Sequence, residues 1–266
     1  MEAPMPMPEA MLLVEELSKH YIIVKNGLGS TIRINAVDAV SFAVHPGESL
    51  GLIGESGSGK TTTANLILRM LPPSSGRIIL FGQDVTDHDE RRMRPLRKDL
   101  QIVFQHSKAV LDPQMTIGEL LAEPLQIHGI VPEQEIADEV VRLLELVGLR
   151  AAERSKFPYQ LSGGQNQRVV IARAIATRPK LVVCDEPVSA LDVSVQGQIL
   201  NLLKRLKEEL DLTYLLITHD LKVVRFMCER IAVMYEGRII ERGATEEVLS
   251  SPTHAHTRSL ISSTLR

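Results

Sequence analysis

"SLGLIGESGSGKTT" (49–62) decides how this chain folds. An apolar run of strand length, Ser49–Ile53, meets a glycine-rich loop, and Lys60 opens a helical pattern over 60–70. Gly54, Gly59, Lys60 and Thr61 match the spacing G-x-x-x-x-G-K-[ST] in the strand–loop–helix setting that the motif requires. Gly54, Gly57 and Gly59 let backbone N–H groups converge on phosphate, and the helix start adds its positive dipole end. Lys60 then bridges the β- and γ-phosphates, and the Thr61 hydroxyl ligates Mg²⁺. Ser56, Ser58 and Thr62 belong to the same cradle.

Two further apolar runs end in loops that carry chemistry. "LVVC" (181–184) leads into Asp185-Glu186, and "YLLIT" (214–218) leads into His219-Asp220. Continuous runs of this kind read as strands buried on both faces, as in a parallel sheet. Helical patterns lie at 60–70, 133–147, 193–210 and 220–229. The alternation predicts a layered α/β fold with ligands at the carboxyl ends of the strands. "AVDAV" (36–40) and "SFAVHPGE" (41–48) alternate apolar and polar, which predicts half-buried antiparallel strands. Over 106–178 the period is helical throughout (116–128, 133–147 and 163–177). The expected organisation is therefore a P-loop nucleotide-binding core with a parallel sheet, an antiparallel β subdomain and a helical insertion. Its segments are a flexible tail (1–10), the first part of the core (11–105), the helical subdomain (106–178), the second part of the core (179–250) and a C-terminal tail (251–266).

Asp185, ending a buried strand, is placed to hold Mg²⁺ through water. Glu186 is the candidate general base for an attacking water. An Asp-Glu pair can merely cap a strand end, but here it accompanies a complete phosphate loop. Cys184 reads as a small core residue rather than a reactive thiol. His219 emerges at the same sheet edge and suits a γ-phosphate contact. Gln105, closing "LQIVFQ" (100–105), is placed to touch both Mg²⁺ and water.

"LSGGQNQRVVIARA" (161–174) carries a second anion-binding device. Ser162 and Gln165 have capping-box spacing, so a helix begins just after Ser162. Gly163 and Gly164 leave its first N–H groups uncovered, so the helix start can receive an anion. An ordinary capped helix explains Ser162 and Gln165 but gives no reason for two adjacent glycines, which cost helix stability. Lying in the helical insertion, this turn cannot fold back onto its own phosphate loop. A second copy, related by a two-fold axis, delivers it to the γ-phosphate.

The bulk properties narrow the class. The chain has 266 residues with 44% hydrophobic and 24% charged, and a net charge of -3 that gives no reason to expect nucleic acid as a partner. Two cysteines, Cys184 and Cys228, fit a reducing, cytoplasmic setting without a disulfide framework. "MEAPMPMPEA" (1–10) lacks the pattern of a secretory signal. No apolar run approaches the roughly 18–20 residues that span a bilayer, so membrane work would need other chains.

Taken together, these residues resemble the ATP-binding-cassette (ABC) ATPases over nearly the whole chain, through "LSGGQ" (161–165) followed by "DEPVSALD" (185–192). The resemblance implies that Ser162 and Gly164 complete the ATP site of a partner ATPase. It also implies that "SALD", ending in Asp192, communicates between two such sites, and that Tyr21 in "LSKHY" (17–21) stacks on adenine. "VFQHSKAVLDPQMTI" (103–117), "DEPVSALDVSVQGQILNLL" (185–203) and "SSPTHAHTRSLISS" (250–263) are similar to the ATP-binding subunits of oligopeptide, dipeptide and nickel importers. The chain departs from that pattern at His254-Ala255-His256-Thr257, where His-Pro-Tyr-Thr is usual. It departs again at His106, where Asp is common, and at Asn166, where Arg or Lys is more usual. The cysteine-bearing extension of longer relatives is not present, so an iron–sulfur cluster is not expected. His254 and His256, two apart in a polar tail, make a weak metal-ligand set. "RRMRPLRK" (91–98) reads as a solvated face, or as a face toward lipid headgroups or a membrane partner.

The resemblance implies an ATPase that uses ATP and Mg²⁺ and sits peripherally on the cytoplasmic face of the membrane. It would work with two transmembrane permease subunits, a second ATPase subunit arranged head to tail and an extracytoplasmic solute-binding protein, and with no nucleic acid. The helical insertion beginning at Gln105 is the expected permease contact. Uptake of peptides or a related small solute, including nickel or a metal chelate, is the expected task. An exporter or lipid-extracting complex, and a soluble ABC protein outside transport, are the alternatives.

Overall fold

The computed structural model describes residues 10–24, 31–104 and 110–264. The first half of the chain forms β1 (Leu12–Val24), β2 (Thr31–Val44), β3 (Ser49–Ile53), α1 (Lys60–Ile67), β4 (Ser75–Leu80), β5 (Gln83–Asp84), α2 (Glu90–Met93), β6 (Leu100–Val103) and α3 (Ile117–His128). The second half forms α4 (Ile136–Leu146), α5 (Gly163–Ile175), β7 (Leu181–Asp185), α6 (Val193–Leu210), β8 (Thr213–Thr218), α7 (Leu221–Met227), β9 (Arg230–Tyr235), β10 (Arg238–Ala244), α8 (Thr245–Ser250) and α9 (Ala255–Thr264). The elements divide into two compact units, one running to Arg94 and resuming at Thr213, the other spanning Pro95–Leu212.

In the first unit β3 pairs in parallel with both β8 and β9, and β10 closes antiparallel on β9. Every residue of β3 and β8 is buried, as their uninterrupted apolar runs demand of strands covered on both faces. The remaining strands form an antiparallel sheet in the order β2-β1-β4-β5. Its buried side chains are Leu12, Val14 and Leu17 on β1, Val37, Val40, Phe42 and Val44 on β2, and Ile78 and Leu80 on β4. The two-residue period slips once on each strand. At those slips Glu16 (φ 46°) and Ala39 (φ 50°) adopt left-handed backbone, and the β1–β2 register shifts between Val14 and His20. Such bulges insert an extra residue and return the following side chains to the core face.

In the second unit β6 and β7 pair in parallel, Leu100 opposite Leu181 through Val103 opposite Cys184. Among the described residues of 110–178 only helices and turns occur. Helix α3 opens on a capping box between Thr116 and Glu119 and ends at Gly129 in left-handed conformation (φ 57°). The pattern over 133–147 resolves into a 3-10 turn (Glu133–Glu135) and then α4. Helix α6 covers 193–210 as expected. Helix α1 is shorter than its 60–70 pattern because Arg69 turns left-handed (φ 54°). Helix α7 is shorter than 220–229 because Asp220 caps its start, accepting from the Lys222 N–H, and Cys228 turns extended at its end. No helix among the described residues is long and apolar enough to cross a membrane.

Within the C-terminal tail, residues 255–264, polar in sequence, form helix α9. Glu241 on β10 holds its approach. One carboxylate oxygen accepts from the Thr253 N–H (2.6 Å) and hydroxyl (2.8 Å), and the other accepts from the His254 N–H (3.1 Å). Burial alone would raise this carboxyl, but the Thr253 and His254 donors outweigh it and hold Glu241 down at about 2. A carboxyl depressed below its unfolded value of about 4.3 stabilises the fold above that pH, and the contribution is lost as pH falls toward 2. Amide protection across 253–264 should therefore fall on acidification from about pH 4 downward. Glu241→Gln should lower it at pH 7 while protection of β3 stays as in the wild type, measured by hydrogen–deuterium exchange.

Candidate functional site

The phosphate loop belongs to the first unit and is gripped from behind by backbone. A Cβ on Gly54 would stand 2.2 Å from the Met234 carbonyl oxygen, and one on Gly59 would stand 2.3 Å from that of Ala36. Both positions also carry positive φ (155° and 104°), so glycine is required there twice over. The Gly237 N–H donates to the Ser58 carbonyl (3.0 Å), and the Asp38 N–H donates to the Gly237 carbonyl (2.8 Å). The β9–β10 turn and β2 thus hold the loop in shape. Its crest, Glu55–Gly57, is exposed, whereas Ser58 and Lys60 beneath it are buried.

The Lys60 ammonium donates to the carbonyls of Gly54 (2.7 Å) and Glu55 (2.8 Å) and approaches the Ser58 hydroxyl (3.4 Å). A cation lies beneath an exposed backbone crest, and the space beside Gly57 is open to 4 Å around a would-be Cβ. Helix α1 begins at Lys60 behind a glycine cap that offers no side-chain acceptor. Cation, open backbone and helix start are what a polyphosphate chain requires. Thr61 is exposed at the first turn and Thr62 half-buried, so the threonine hydroxyl intended for a divalent cation is at the surface. His219 is exposed immediately after the fully buried β8, also in this unit. Tyr21 on β1 is 41% exposed, with the Lys19 ammonium over its ring, 5.5 Å from the centre.

The second unit carries the acidic pair and the Ser-Gly-Gly-Gln turn. Cys184 is buried as read, and burial, with the neighbouring Asp185 charge, pushes its thiol up to about 12. Asp185 ends β7 half-buried, and Glu186 follows it with left-handed backbone (φ 48°). That conformation costs a non-glycine residue roughly 1–2 kcal/mol. Seven other described non-glycine residues share the left-handed region, so strain by itself does not single out Glu186. The turn after it is closed by the Ser189 hydroxyl donating to the Glu186 carbonyl (3.2 Å). Asp192 is exposed at the N-cap of α6, its carbonyl accepting from the Val195 and Gln196 N–H groups (both 2.9 Å).

Ser162 and Gln165 form the expected reciprocal capping box. The Gln165 N–H donates to the Ser162 hydroxyl (3.3 Å), and the Ser162 N–H donates to the Gln165 side-chain oxygen (3.0 Å). The two glycines differ. A Cβ on Gly164 would lie 2.6 Å from Val195 Cγ1, so α6 packs too closely for a side chain there. A Cβ on Gly163 would meet only Leu191 Cδ2, at an ordinary 3.6 Å. Packing therefore accounts for Gly164, and Gly163 alone is left without a structural reason. Asn166 is fully buried, and its side-chain amide donates to the Pro158 (3.0 Å) and Leu161 (3.4 Å) carbonyls. It ties the preceding loop to the helix, a role the sequence reading did not give it.

The phosphate loop, Tyr21 and His219 thus lie in one unit, and Asp185, Glu186, Asp192 and Ser162–Gln165 in the other. Gln105 and His106 fall outside the described residues. The two C-terminal histidines act separately. His254 Nδ1 accepts from the His256 N–H (3.1 Å), whereas the His256 ring stacks on Tyr235 with centres 3.8 Å apart.

Known proteins resemble this chain over most of its length. Residues 37–189 match the family model described as ABC transporter. A Brucella abortus (strain 2308) protein named for peptide import and ATP binding is 44% identical over 259 residues, which is 97% of this chain and 78% of that protein. The glutathione import ATP-binding protein of Escherichia coli K12 is 46% identical over 231 residues, covering 87% of this chain but 37% of the relative. Among solved structures, a dimeric ATP-binding cassette in a post-hydrolysis state with ADP and phosphate bound superposes with a TM-score of 0.77. It is 32% identical, and the match covers 88% of this chain and 99% of that one. CbiO1 of Clostridium perfringens, part of an ABC transporter complex, gives a TM-score of 0.78 at 30% identity over 91% of each chain.

The contrast between the two glycines is measurable by urea denaturation. Gly164→Ala should lose about 1–3 kcal/mol of stability through overpacking against Val195. Gly163→Ala should leave stability unchanged or raise it by up to about 1 kcal/mol.

Proposed function

The chain belongs to the ABC transporter family, and on that premise we propose that it is the ATP-hydrolysing subunit of an importer for peptides or a related small solute. Membership makes it an ATP-binding, ATP-hydrolysing protein. The importer reading is supported by the two relatives named for import, of peptides and of glutathione. A nickel or metal-chelate cargo fits the same chemistry, since an ATPase subunit does not touch the cargo. The observation that carries the ATP site is the Lys60 ammonium, buried beneath an exposed glycine crest and held by the loop's own carbonyls.

In this reading the backbone of Gly54, Ser56, Gly57, Ser58 and Gly59 lines the phosphate chain, Lys60 neutralises its terminal charge and Tyr21 stacks on the base. Glu186 takes the proton of the attacking water, Gln105 orients that water, and His219 contacts the γ-phosphate. Thr61, Gln105 and, through water, Asp185 would hold Mg²⁺, which neutralises charge on the β- and γ-phosphates. Ser162, Gly163, Gly164 and Gln165 serve the nucleotide of a second ATPase subunit, whether another copy or a sister chain, and Asp192 links the two sites. The dimeric cassette with ADP and phosphate bound supports that arrangement. Two permease subunits would receive the work at the cytoplasmic face of the membrane, with a solute-binding protein delivering cargo from outside.

Phosphoryl transfer to water asks the protein mainly for positioning and charge stabilisation. Removing the base should therefore spare binding. Glu186→Gln should lower ATP turnover by about 10²-fold or more while ATP still drives the chain into a stable dimer on size-exclusion chromatography. Near-normal hydrolysis would remove Glu186 from the base role. Lys60→Ala should abolish both ATP binding and dimer formation. Affinity purification of the tagged full chain from its native membranes should recover two multi-span permeases. Recovery of soluble partners alone would overturn the transport reading while leaving the ATPase chemistry intact.

A further inference from the structure

The C-terminal helix reaches the phosphate loop through one side chain. His256 lies in the first turn of α9 and is latched near β10 by the Glu241 contacts to Thr253 and His254. Its imidazole stacks on Tyr235 at the end of β9 (centres 3.8 Å apart, planes 33° apart). That stacking turns Nε2 toward Glu55, 3.8 Å from Oε1. Nε2 is buried and has no hydrogen-bond partner within bonding distance. Glu55 stands on the exposed crest of the phosphate loop, directly after Gly54. Its carbonyl accepts from the Lys60 ammonium (2.8 Å) and from the Ser58 N–H (3.2 Å). The Glu55 carboxylate is also felt on the other side of the stack. The neighbouring Glu236 raises the Tyr235 hydroxyl most, and burial and the Glu55 charge add to it.

A carboxylate on the crest of a polyphosphate cradle is a like charge to the ligand. The edge of the His256 imidazole, its Nε2 3.8 Å from that carboxylate, is placed to offset the charge. We infer that His256 is a positioning residue for the nucleotide site: from the C-terminal helix it restrains Glu55, whose backbone in turn holds Lys60. The inference rests on the reading of residues 54–62 as an ATP site. It adds that nucleotide affinity depends on a side chain some 200 residues downstream, on α9. The contact is a partly exposed pair, so its contribution to affinity is modest.

The test is a titration of the full-length protein and its variants with a fluorescent ATP analogue, alongside steady-state ATPase kinetics. His256→Phe keeps an aromatic ring on Tyr235 and removes the N–H. It should weaken binding about three- to fivefold and raise KM by a similar factor with kcat unchanged. His256→Gln restores an N–H donor near the same place and should recover most of the lost affinity. In a Glu55→Gln background the His256→Phe effect should vanish, because the charge it answers is gone. Wild-type affinity in His256→Phe overturns the inference. So does a defect that persists in Glu55→Gln, or one that His256→Gln fails to rescue, since both would make His256 a packing residue on Tyr235. Failure of the ATP-site reading looks different: the wild-type chain would itself bind the analogue no better than Lys60→Ala.

Discussion

Two backbone contacts set the geometry from which the nucleotide site follows. Gly54 and Gly59 approach the carbonyls of Met234 and Ala36 more closely than any Cβ would allow. With the loop pressed against β9 and β2, the Lys60 side chain is buried and must satisfy its ammonium locally. It does so on the carbonyls of Gly54 and Glu55. A buried cation is tolerable only when its donors are occupied. The same bonds that make Lys60 affordable also hold it beneath the crest that an anion would meet.

The second unit solves a different problem with similar means. Its Ser-Gly-Gly-Gln turn is held by a reciprocal cap at Ser162 and Gln165, while Asn166 ties down the loop before it. Gly164 is absorbed by close packing against Val195. Of the two glycines, only Gly163 keeps the ligand argument that both seemed to share in the sequence. The anion-binding case for this turn therefore rests on Gly163 and on the helix start it leaves open, together with the family to which the chain belongs.

The C-terminal segment shows how a polar stretch acquires structure from outside itself. Nothing in "SSPTHAHTRSLISS" has the apolar period that announces a core helix. Helix α9 forms where Glu241 on β10 collects the N–H groups of Thr253 and His254 and the Thr253 hydroxyl. The two histidines, two positions apart in sequence, are thereby sent to separate tasks. One caps its own helix and the other reaches Tyr235 and Glu55.

By itself the sequence determined the buried strands, the phosphate loop, the capped helix of the insertion and the family, because each rests on local pattern. A run of apolar residues, a fixed glycine spacing and a Ser-x-x-Gln cap are legible within a dozen positions. Tertiary structure alone decided β1 and the bulges at Glu16 on β1 and Ala39 on β2, each of which breaks the two-residue period of its strand. It also decided why Gly164 and Asn166 are what they are, and that His256 faces Glu55. Those facts are distances between residues far apart in the chain, or a register slip imposed by a partner strand, and no window of sequence contains them.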